Sequence, residues 1–155
     1  MPVKIAEILD PAAIVAELEG TGKEEVLAEL TASLVAANPS LNRKEVLRVL
    51  LERERLGSTG IGDGIAIPHG KLNNLDQQLM AFGLSRKGVD FDAMDGKPAR
   101  LFFLLIAPED AVGIHLKTLA RISKLLKSVT VRERLQQAVD GRQIHHIIAE
   151  EEENL

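Results

Sequence analysis

His69 is the residue of this sequence best placed to do chemistry. It follows a short apolar run and a proline, precedes Gly70, and lies just after the glycine-rich stretch Gly57–Gly64. Proline fixes the approach of the backbone and glycine allows close backbone contact, so we expect the imidazole to face a surface cleft. Because an imidazole is largely neutral near pH 7, it can act as a nucleophile. A structural histidine that caps the end of a strand is the alternative.

The glycine-rich stretch does not match the common nucleotide-binding motifs. Gly60, Gly62 and Gly64 form G-x-G-x-G instead of the dinucleotide fingerprint G-x-G-x-x-G, and they precede a predicted strand instead of a helix. Gly70-Lys71 lacks both the upstream glycine and the following hydroxyl residue of a P-loop. The sequence also contains no G-x-S-x-G nucleophile turn and no H-E-x-x-H zinc pair. Nucleotide binding and serine hydrolysis are therefore disfavoured.

The composition is typical of one soluble domain spanning residues 1–155. The chain is 45% hydrophobic and 27% charged, with a formal net charge of −4. Four Phe, no Tyr and no Trp in an acidic chain argue against nucleic acid as a partner. The lack of Cys excludes disulfides and thiolate chemistry. With no secretory signal and no apolar stretch of membrane-spanning length, we expect a cytoplasmic protein without direct membrane insertion.

Hydrophobic periodicity predicts an α/β fold, with a small mixed β-sheet flanked by helices. We predict helices over 23–38, 43–55, 113–127, 131–139 and 143–149, and strands over 13–18, 65–67, 79–85 and 100–106. Asn42, followed by Glu45 three positions later, is expected to cap the second helix. The stretch Gly57–Gly64 is expected to be a loop, and the acidic end, residues 149–155, a frayed tail.

The segment Arg53–Lys71 resembles a known family. Its sequence, RERLGSTGIGDGIAIPHGK, is similar to the active-site signature of the phosphotransferase system enzyme IIA domains of the fructose/mannitol family. The Gly-Ser-Thr-Gly-Ile-Gly run and the Pro-His-Gly-Lys ending most resemble the nitrogen-regulatory branch of that family. The resemblance extends over roughly the whole chain, since Ile5–Leu9, Gly20–Leu27 and the region from Pro108 to Leu116 also fit.

The resemblance implies a role for each matching residue. His69 occupies the position of the phosphorylated histidine, whose Nε2 atom carries the phosphoryl group. His115 matches the second active-site histidine, and Arg53 matches an active-site arginine; both are expected to stabilise phosphoryl charge. The residues expected to line the phosphoryl site are Thr59, Gly60, Gly62 and Asp63. No metal or cofactor is implied, because the phosphoryl group comes from another histidine.

The resemblance also implies a function and partners. We expect a phosphoryl carrier that accepts its phosphoryl group from an HPr-like phosphocarrier and regulates other proteins through its phosphorylation state. In the family, such targets include sensor-kinase and potassium-transport components. One alternative is a sugar-specific enzyme IIA that passes the phosphoryl group to an enzyme IIB. A second is a binding module that keeps the fold without phosphoryl transfer, and the presence of both His69 and His115 argues against it.

Overall fold

A mixed β-sheet with helices on both faces organises the computed structural model, which describes residues 3–155. The strands are β1 (Leu9–Val15), β2 (Gly60–Gly62), β3 (Ile65–Ala66), β4 (His69–Leu72), β5 (Leu79–Val89) and β6 (Ala99–Pro108). The helices are α1 (Ile5–Ile8), α2 (Lys23–Ala37), α3 (Arg43–Arg55), α4 (Val112–Leu125), α5 (Val129–Gln136) and α6 (Gly141–Glu152). The predicted fold class is therefore confirmed.

Strand β6 is the centre of the sheet. Strand β5 pairs with it in antiparallel fashion along one edge, and β1 joins β5 in parallel. Strands β3 and β4 both pair in parallel with the other edge of β6, one after the other, with Pro68 between them. The sequence of β6 is apolar on both faces because helices cover both sides of the strand.

Alternate residues of β6 face two separate hydrophobic clusters. Phe103 packs edge-to-face against Phe82, with ring centroids 4.8 Å apart, in the cluster that includes α1, α4, α5 and α6. Phe102 packs against Phe91 at 5.4 Å in the cluster that includes α2 and α3. Residues along a strand alternate between the two faces of a sheet, so one strand supplies both clusters.

Helix α3 ends at the beginning of the glycine-rich stretch. Its N-terminus is capped as predicted, because the Asn42 side chain accepts a hydrogen bond of 3.1 Å from the Glu45 backbone N–H. At its other end, Gly57 has a φ of +151°, which a side chain would strain. The chain then turns back as β2 and β3, so the prediction that the whole stretch is a loop was wrong for Gly60–Gly62, which pair with β3.

The C-terminal residues were also predicted wrongly. Helix α6 continues to Glu152, and the Glu152 side chain is only 3% exposed. Its carboxylate accepts hydrogen bonds from the backbone N–H groups of Ile5 and Ala6 and from Arg121 Nε at 2.6 Å. An acidic run looks solvated in the sequence, but these three donors compensate the burial of one of its carboxylates. Within the predicted tail, Glu150 and residues 153–155 are exposed, whereas Glu152 is buried.

Other differences concern short strands and element ends. Strand β1 begins at Leu9, ahead of the predicted start at residue 13, and contains Pro11, which an edge strand tolerates. Strand β4 has no sequence signal, because its four residues follow a proline and are defined by pairing with β6. Within residues 3–155, no helix is both long and apolar enough to span a membrane.

Candidate active site

His69 lies in a cleft of about 840 Å³ between α3 and the first turns of α4. The residues that line this cleft are Arg48, Val49, Glu52, Arg53, Arg55, Leu56, His69, Gly70, Lys71, Glu109, His115, Leu116 and Leu119. The structure therefore brings together three of the residues predicted from the sequence: His69, His115 and Arg53. We name this region the histidine cleft.

The position of His69 is set by the sheet. It is the first residue of β4, paired with Leu105 on β6, and the Pro68 carbonyl accepts a 2.9 Å hydrogen bond from the Leu105 N–H. The Nδ1 atom of the His69 ring lies 2.8 Å from the Ile67 carbonyl oxygen. Since a carbonyl oxygen only accepts hydrogen bonds, Nδ1 carries the proton in this contact. The neutral ring therefore has its lone pair on Nε2, the nitrogen that can attack an electrophile.

His115 faces His69 across the cleft. The ring centroids are 5.4 Å apart, and the ring planes are inclined by 55°. His115 lies in the first turns of α4 and is 3% exposed. Its Nδ1 atom is buried and has no hydrogen-bond partner among the described residues. A buried polar atom without a partner is uncommon and costly in a folded protein.

Both histidines favour the neutral state. Burial lowers the pKa of His69 below its ordinary value of 6.5, and the positive charges of Arg53 and Lys71 lower it further. The hydrogen bond to Ile67 and the carboxylate of Glu54 act in the opposite direction. Burial lowers the pKa of His115 to about 4, with smaller contributions from His69 and Lys71. At neutral pH both rings are therefore uncharged, and the charge of the cleft comes from its other side chains.

Arginine and lysine side chains give the histidine cleft a positive character. Arg53, in the last turn of α3, donates a 2.8 Å hydrogen bond from Nη1 to the Gly57 carbonyl, which holds the guanidinium at the mouth of the cleft. Lys71 lies two residues after His69 on β4, and its sequence signal was the Pro-His-Gly-Lys run. Guanidinium and ammonium groups are the usual partners of phosphoryl oxygens.

The four residues predicted to line the phosphoryl site lie outside the cleft lining. Gly60 packs so closely on Ala93 that an added Cβ would lie 3.1 Å from it, and the Gly62 Cβ position faces Asp95. The Asp63 backbone N–H donates a 3.0 Å hydrogen bond to Asp95 Oδ2. Thr59 is 3% exposed, and its hydroxyl donates to Glu54. Geometry therefore does not support a phosphoryl-lining role for Thr59, Gly60, Gly62 or Asp63.

Glu54 and Glu109 were not singled out in the sequence. Glu54 neighbours Arg53, is 8% exposed, and lies close enough to His69 for its charge to affect the ring. Its only sequence signal was its place beside the predicted arginine. Glu109 is an exposed residue after β6 that lines the cleft. In residues 3–155, no group of three or more His, Asp or Glu side chains is arranged to hold a metal ion.

A comparison with protein families identifies the family of the chain. The chain belongs to the family described as "Phosphoenolpyruvate-dependent sugar phosphotransferase system, EIIA 2", whose model matches residues 7–151. Members of this family are phosphotransferase components of that system. This membership agrees with the resemblance of the segment Arg53–Lys71.

Individual relatives place the chain within the family. It is 41% identical over 145 residues to the nitrogen regulatory protein of Bradyrhizobium diazoefficiens, covering 94% of both chains. It is 39% identical to the fructose-specific EIIABC component of Bacillus subtilis, covering 94% of this chain and 23% of that longer protein. The crystal structure of the nitrogen regulatory protein IIA-Ntr from Neisseria meningitidis matches with a TM-score of 0.86 and 37% identity, covering 93% of this chain and 98% of that one.

Proposed function

We propose that this protein accepts a phosphoryl group on Nε2 of His69. The observation that carries this proposal is the 2.8 Å contact between His69 Nδ1 and the Ile67 carbonyl, which leaves Nε2 as the nucleophile in the cleft. In the transfer, the N–P bond of a donor phosphohistidine breaks and a bond forms between phosphorus and Nε2 of His69. The His69 ring becomes positively charged while Nδ1 keeps its proton, and the Ile67 carbonyl stabilises that charge.

The rest of the cleft supplies partners for the phosphoryl oxygens. Arg53 and Lys71 bring positive charge, and His115 brings a neutral ring that donates one N–H. In-line phosphoryl transfer requires mainly positioning and charge stabilisation, so these groups suffice without further covalent chemistry. The transfer exchanges one histidine nitrogen for another, and it is therefore close to reversible.

Apolar side chains around the cleft favour a protein as the donor. Leu56 is 85% exposed and Leu116 is 59% exposed, and both line the histidine cleft. Exposed apolar side chains around a polar centre are typical of protein docking surfaces. An HPr-like phosphocarrier in the cytoplasm is the donor that fits a histidine-to-histidine transfer, and we propose this compartment and this partner.

A regulatory role is the preferred use of the phosphoryl group. The nitrogen regulatory proteins among the relatives support it, because they match this chain over nearly their full length. Phosphorylation adds roughly −1 to −2 of charge to a positive cleft, which changes how a target, such as a sensor kinase or a potassium-transport component, docks there. The fructose-specific relative supports the alternative, in which an enzyme IIB receives the phosphoryl group.

The first test is phosphoryl acceptance. Intact mass is measured after incubation with phosphoenolpyruvate, enzyme I and an HPr-type carrier, for wild type, His69→Ala and His146→Ala. His146 is exposed on α6 and lies outside the cleft, so it is the matched control. We expect one acid-labile phosphoryl group on wild type and on the control, and none on His69→Ala. No gain by wild type from any HPr-type donor would contradict the proposal.

A second measurement separates the two uses. Phosphorylated protein is mixed with a purified enzyme IIB, and loss of the phosphoryl group to IIB supports the sugar-transport alternative. Binding of candidate regulatory targets is measured for both phosphorylation states. Equal affinity of every target for the two states contradicts the regulatory role.

A further inference from the structure

Glu54 is a buried carboxylate directly behind the histidine cleft. It lies in the last turn of α3, one residue after Arg53, and its side chain is only 4% exposed. The carboxylate accepts the Thr59 backbone N–H, at 3.1 and 3.2 Å to its two oxygens, and also the Thr59 hydroxyl. Thr59, which the sequence placed at the phosphoryl group, instead contacts this carboxylate.

The charge of Glu54 is matched by Lys23. The Lys23 ammonium lies 3.2 Å from Glu54 Oε1 and 3.2 Å from Asp92 Oδ2, and it sits 4.9 Å above the ring centroid of Phe91. The start of α2, the end of α3 and the segment after β5 therefore meet at one ion pair. A buried ion pair adds little net stability compared with an apolar packing of the same volume, so stability alone does not explain its presence.

Hydrogen bonds connect this carboxylate to the His69 ring. Glu54 holds Thr59, the Thr59 carbonyl accepts the Ile67 N–H at 3.0 Å, and the Ile67 carbonyl accepts His69 Nδ1–H at 2.8 Å. Ile67 is the one residue between Thr59 and the ring in this series. Its backbone N–H is therefore held by Thr59, and its carbonyl is held by the His69 ring.

The same carboxylate is linked to Arg53 through the segment from Gly57 to Thr59. The Arg53 guanidinium donates to the Gly57 carbonyl, and Gly57 lies between α3 and Thr59 in the chain. Since Glu54 anchors Thr59, the short segment from Gly57 to Thr59 is held at both ends. The position of its carbonyls then determines where the guanidinium and the imidazole lie relative to each other.

We propose that Glu54, paired with Lys23 and acting through Thr59, is a positioning residue that holds His69 and Arg53 in the geometry for phosphoryl transfer. This inference rests on the proposed function of His69. Glu54 itself touches no phosphoryl group in this proposal, because its carboxylate is bonded to Thr59 and Lys23 behind the cleft.

The main test compares Glu54→Gln with Glu45→Gln. Glu45 is an exposed residue at the other end of α3 and lies outside the cleft, so it provides the same chemical change on the same helix. We expect Glu54→Gln to accept the phosphoryl group about 10- to 100-fold more slowly, as displaced reacting groups do, and Glu45→Gln to match wild type. Equal rates for the two variants overturn the proposal.

An NMR titration of His69 in the unphosphorylated protein distinguishes positioning from packing. Loss of the Glu54 charge and of the hydrogen bond from His69 to Ile67 both lower the pKa of His69 further, because each now raises it. Simple loosening of the site exposes the ring to water and moves the pKa back up towards 6.5, because burial is the main cause of its decrease. A raised or unchanged pKa in Glu54→Gln overturns the proposal. Because charge loss alone also lowers the pKa, Thr59→Val, which keeps the Glu54 charge, is titrated beside it, and an unchanged His69 pKa in that variant also counts against positioning.

Thr59 variants keep the test decisive if Glu54→Gln does not fold. Thr59→Val removes the hydroxyl at nearly constant volume, and Thr59→Ser restores it. We expect slower phosphoryl acceptance for the Val variant and a rate near wild type for the Ser variant, and equal rates for both contradict the proposal. If wild type accepts no phosphoryl group, the proposed function fails, but the His69 titration of Thr59→Val, in which the Glu54 charge is unchanged, still tests whether this series of hydrogen bonds positions the ring.

Discussion

The neutral state of two facing histidines is the main electrostatic feature of this protein at the residue scale. A neutral His69 ring keeps a lone pair on Nε2 with which it can attack, and a neutral His115 places no additional positive charge beside that ring. Burial produces this state in both His69 and His115, with Arg53 and Lys71 adding to the effect on His69. The same burial links the stability of the protein to pH.

The free energy of unfolding should fall as pH drops from about 6.5 to 4 because of His115. Its pKa is about 4 in the folded protein and 6.5 as its ordinary value, so the unfolded chain binds the proton more strongly and protonation favours unfolding. The contribution lost at pH 4 is on the order of 2–3 kcal/mol. The measurement is urea unfolding at several pH values for wild type and His115→Gln.

Exposed His146 provides the control for this prediction. His115→Gln should lose less stability than wild type over the same pH range, since Gln does not titrate, whereas His146→Gln should stay close to wild type, because its pair with Glu150 is exposed and worth little. Carboxylates titrate in this range too, but they are common to all three proteins and cancel in the comparison. Parallel curves for wild type and His115→Gln would contradict the buried, neutral assignment of His115.

At the scale of elements, the site depends on how closely helices approach the sheet. Gly70 on β4 lets α3 lie near the strand, because an added Cβ would be 3.2 Å from Val49 Cγ2. Gly83 on β5 is tighter still: its Cβ position lies 2.8 Å from side-chain atoms of both Leu18 and Leu30. Since α2 carries Leu30 and Lys23, its contact with β5 also sets where the Lys23–Glu54 pair forms.

Gly83→Ala should destabilise the protein by about 1–3 kcal/mol, because the methyl group overpacks a core that is already close-packed. Gly113→Ala is the control, since nothing lies within 4 Å of its Cβ position at the start of α4. Alanine is a better helix former than glycine, so this variant should be as stable as wild type or more stable by up to about 1 kcal/mol. Denaturant unfolding measures the stability of both variants. A Gly83→Ala variant as stable as Gly113→Ala would contradict the prediction, because the core would then accommodate the added methyl group.

On the scale of the whole molecule, the two chain ends are joined at α4. Glu152 at the end of α6 accepts the N–H groups at the start of α1 and pairs with Arg121 on α4, the helix that also carries His115. Helix α4 packs in the same hydrophobic cluster as α1 and α6, so this contact ties the helix that carries His115 to both terminal segments.

Glu152→Gln should therefore cost about 2–3 kcal/mol of unfolding free energy, since it removes the buried charge that pairs with Arg121. Arg121 keeps 28% of its side chain exposed, which places the expected cost below that of a fully buried pair. Glu153→Gln is the control: its pair with Lys4 is on the surface and should change stability by less than about 1 kcal/mol. Thermal unfolding of the two variants checks this, and equal midpoints would rule out a role for the Glu152 contact.

Much of the fold could be predicted from the sequence because its signals are local. The periodicity of α2 and α3, the Asn42 cap and the continuous apolar run of β6 each depend on neighbouring residues. Strand β4 and the burial of Glu152 could not be predicted, because each depends on partners far away in the chain, β6 for the one and residues 5, 6 and 121 for the other.

The same division applies to the site. By itself, the sequence determined the α/β class and the membership that the segment Arg53–Lys71 implied, and it singled out His69, His115 and Arg53. Only the tertiary structure decided that these three share one cleft while Thr59 contacts Glu54 behind it. A motif records which residues occur together, but the direction of each side chain depends on the packing of β4, α3 and α4, which contacts distant in sequence determine.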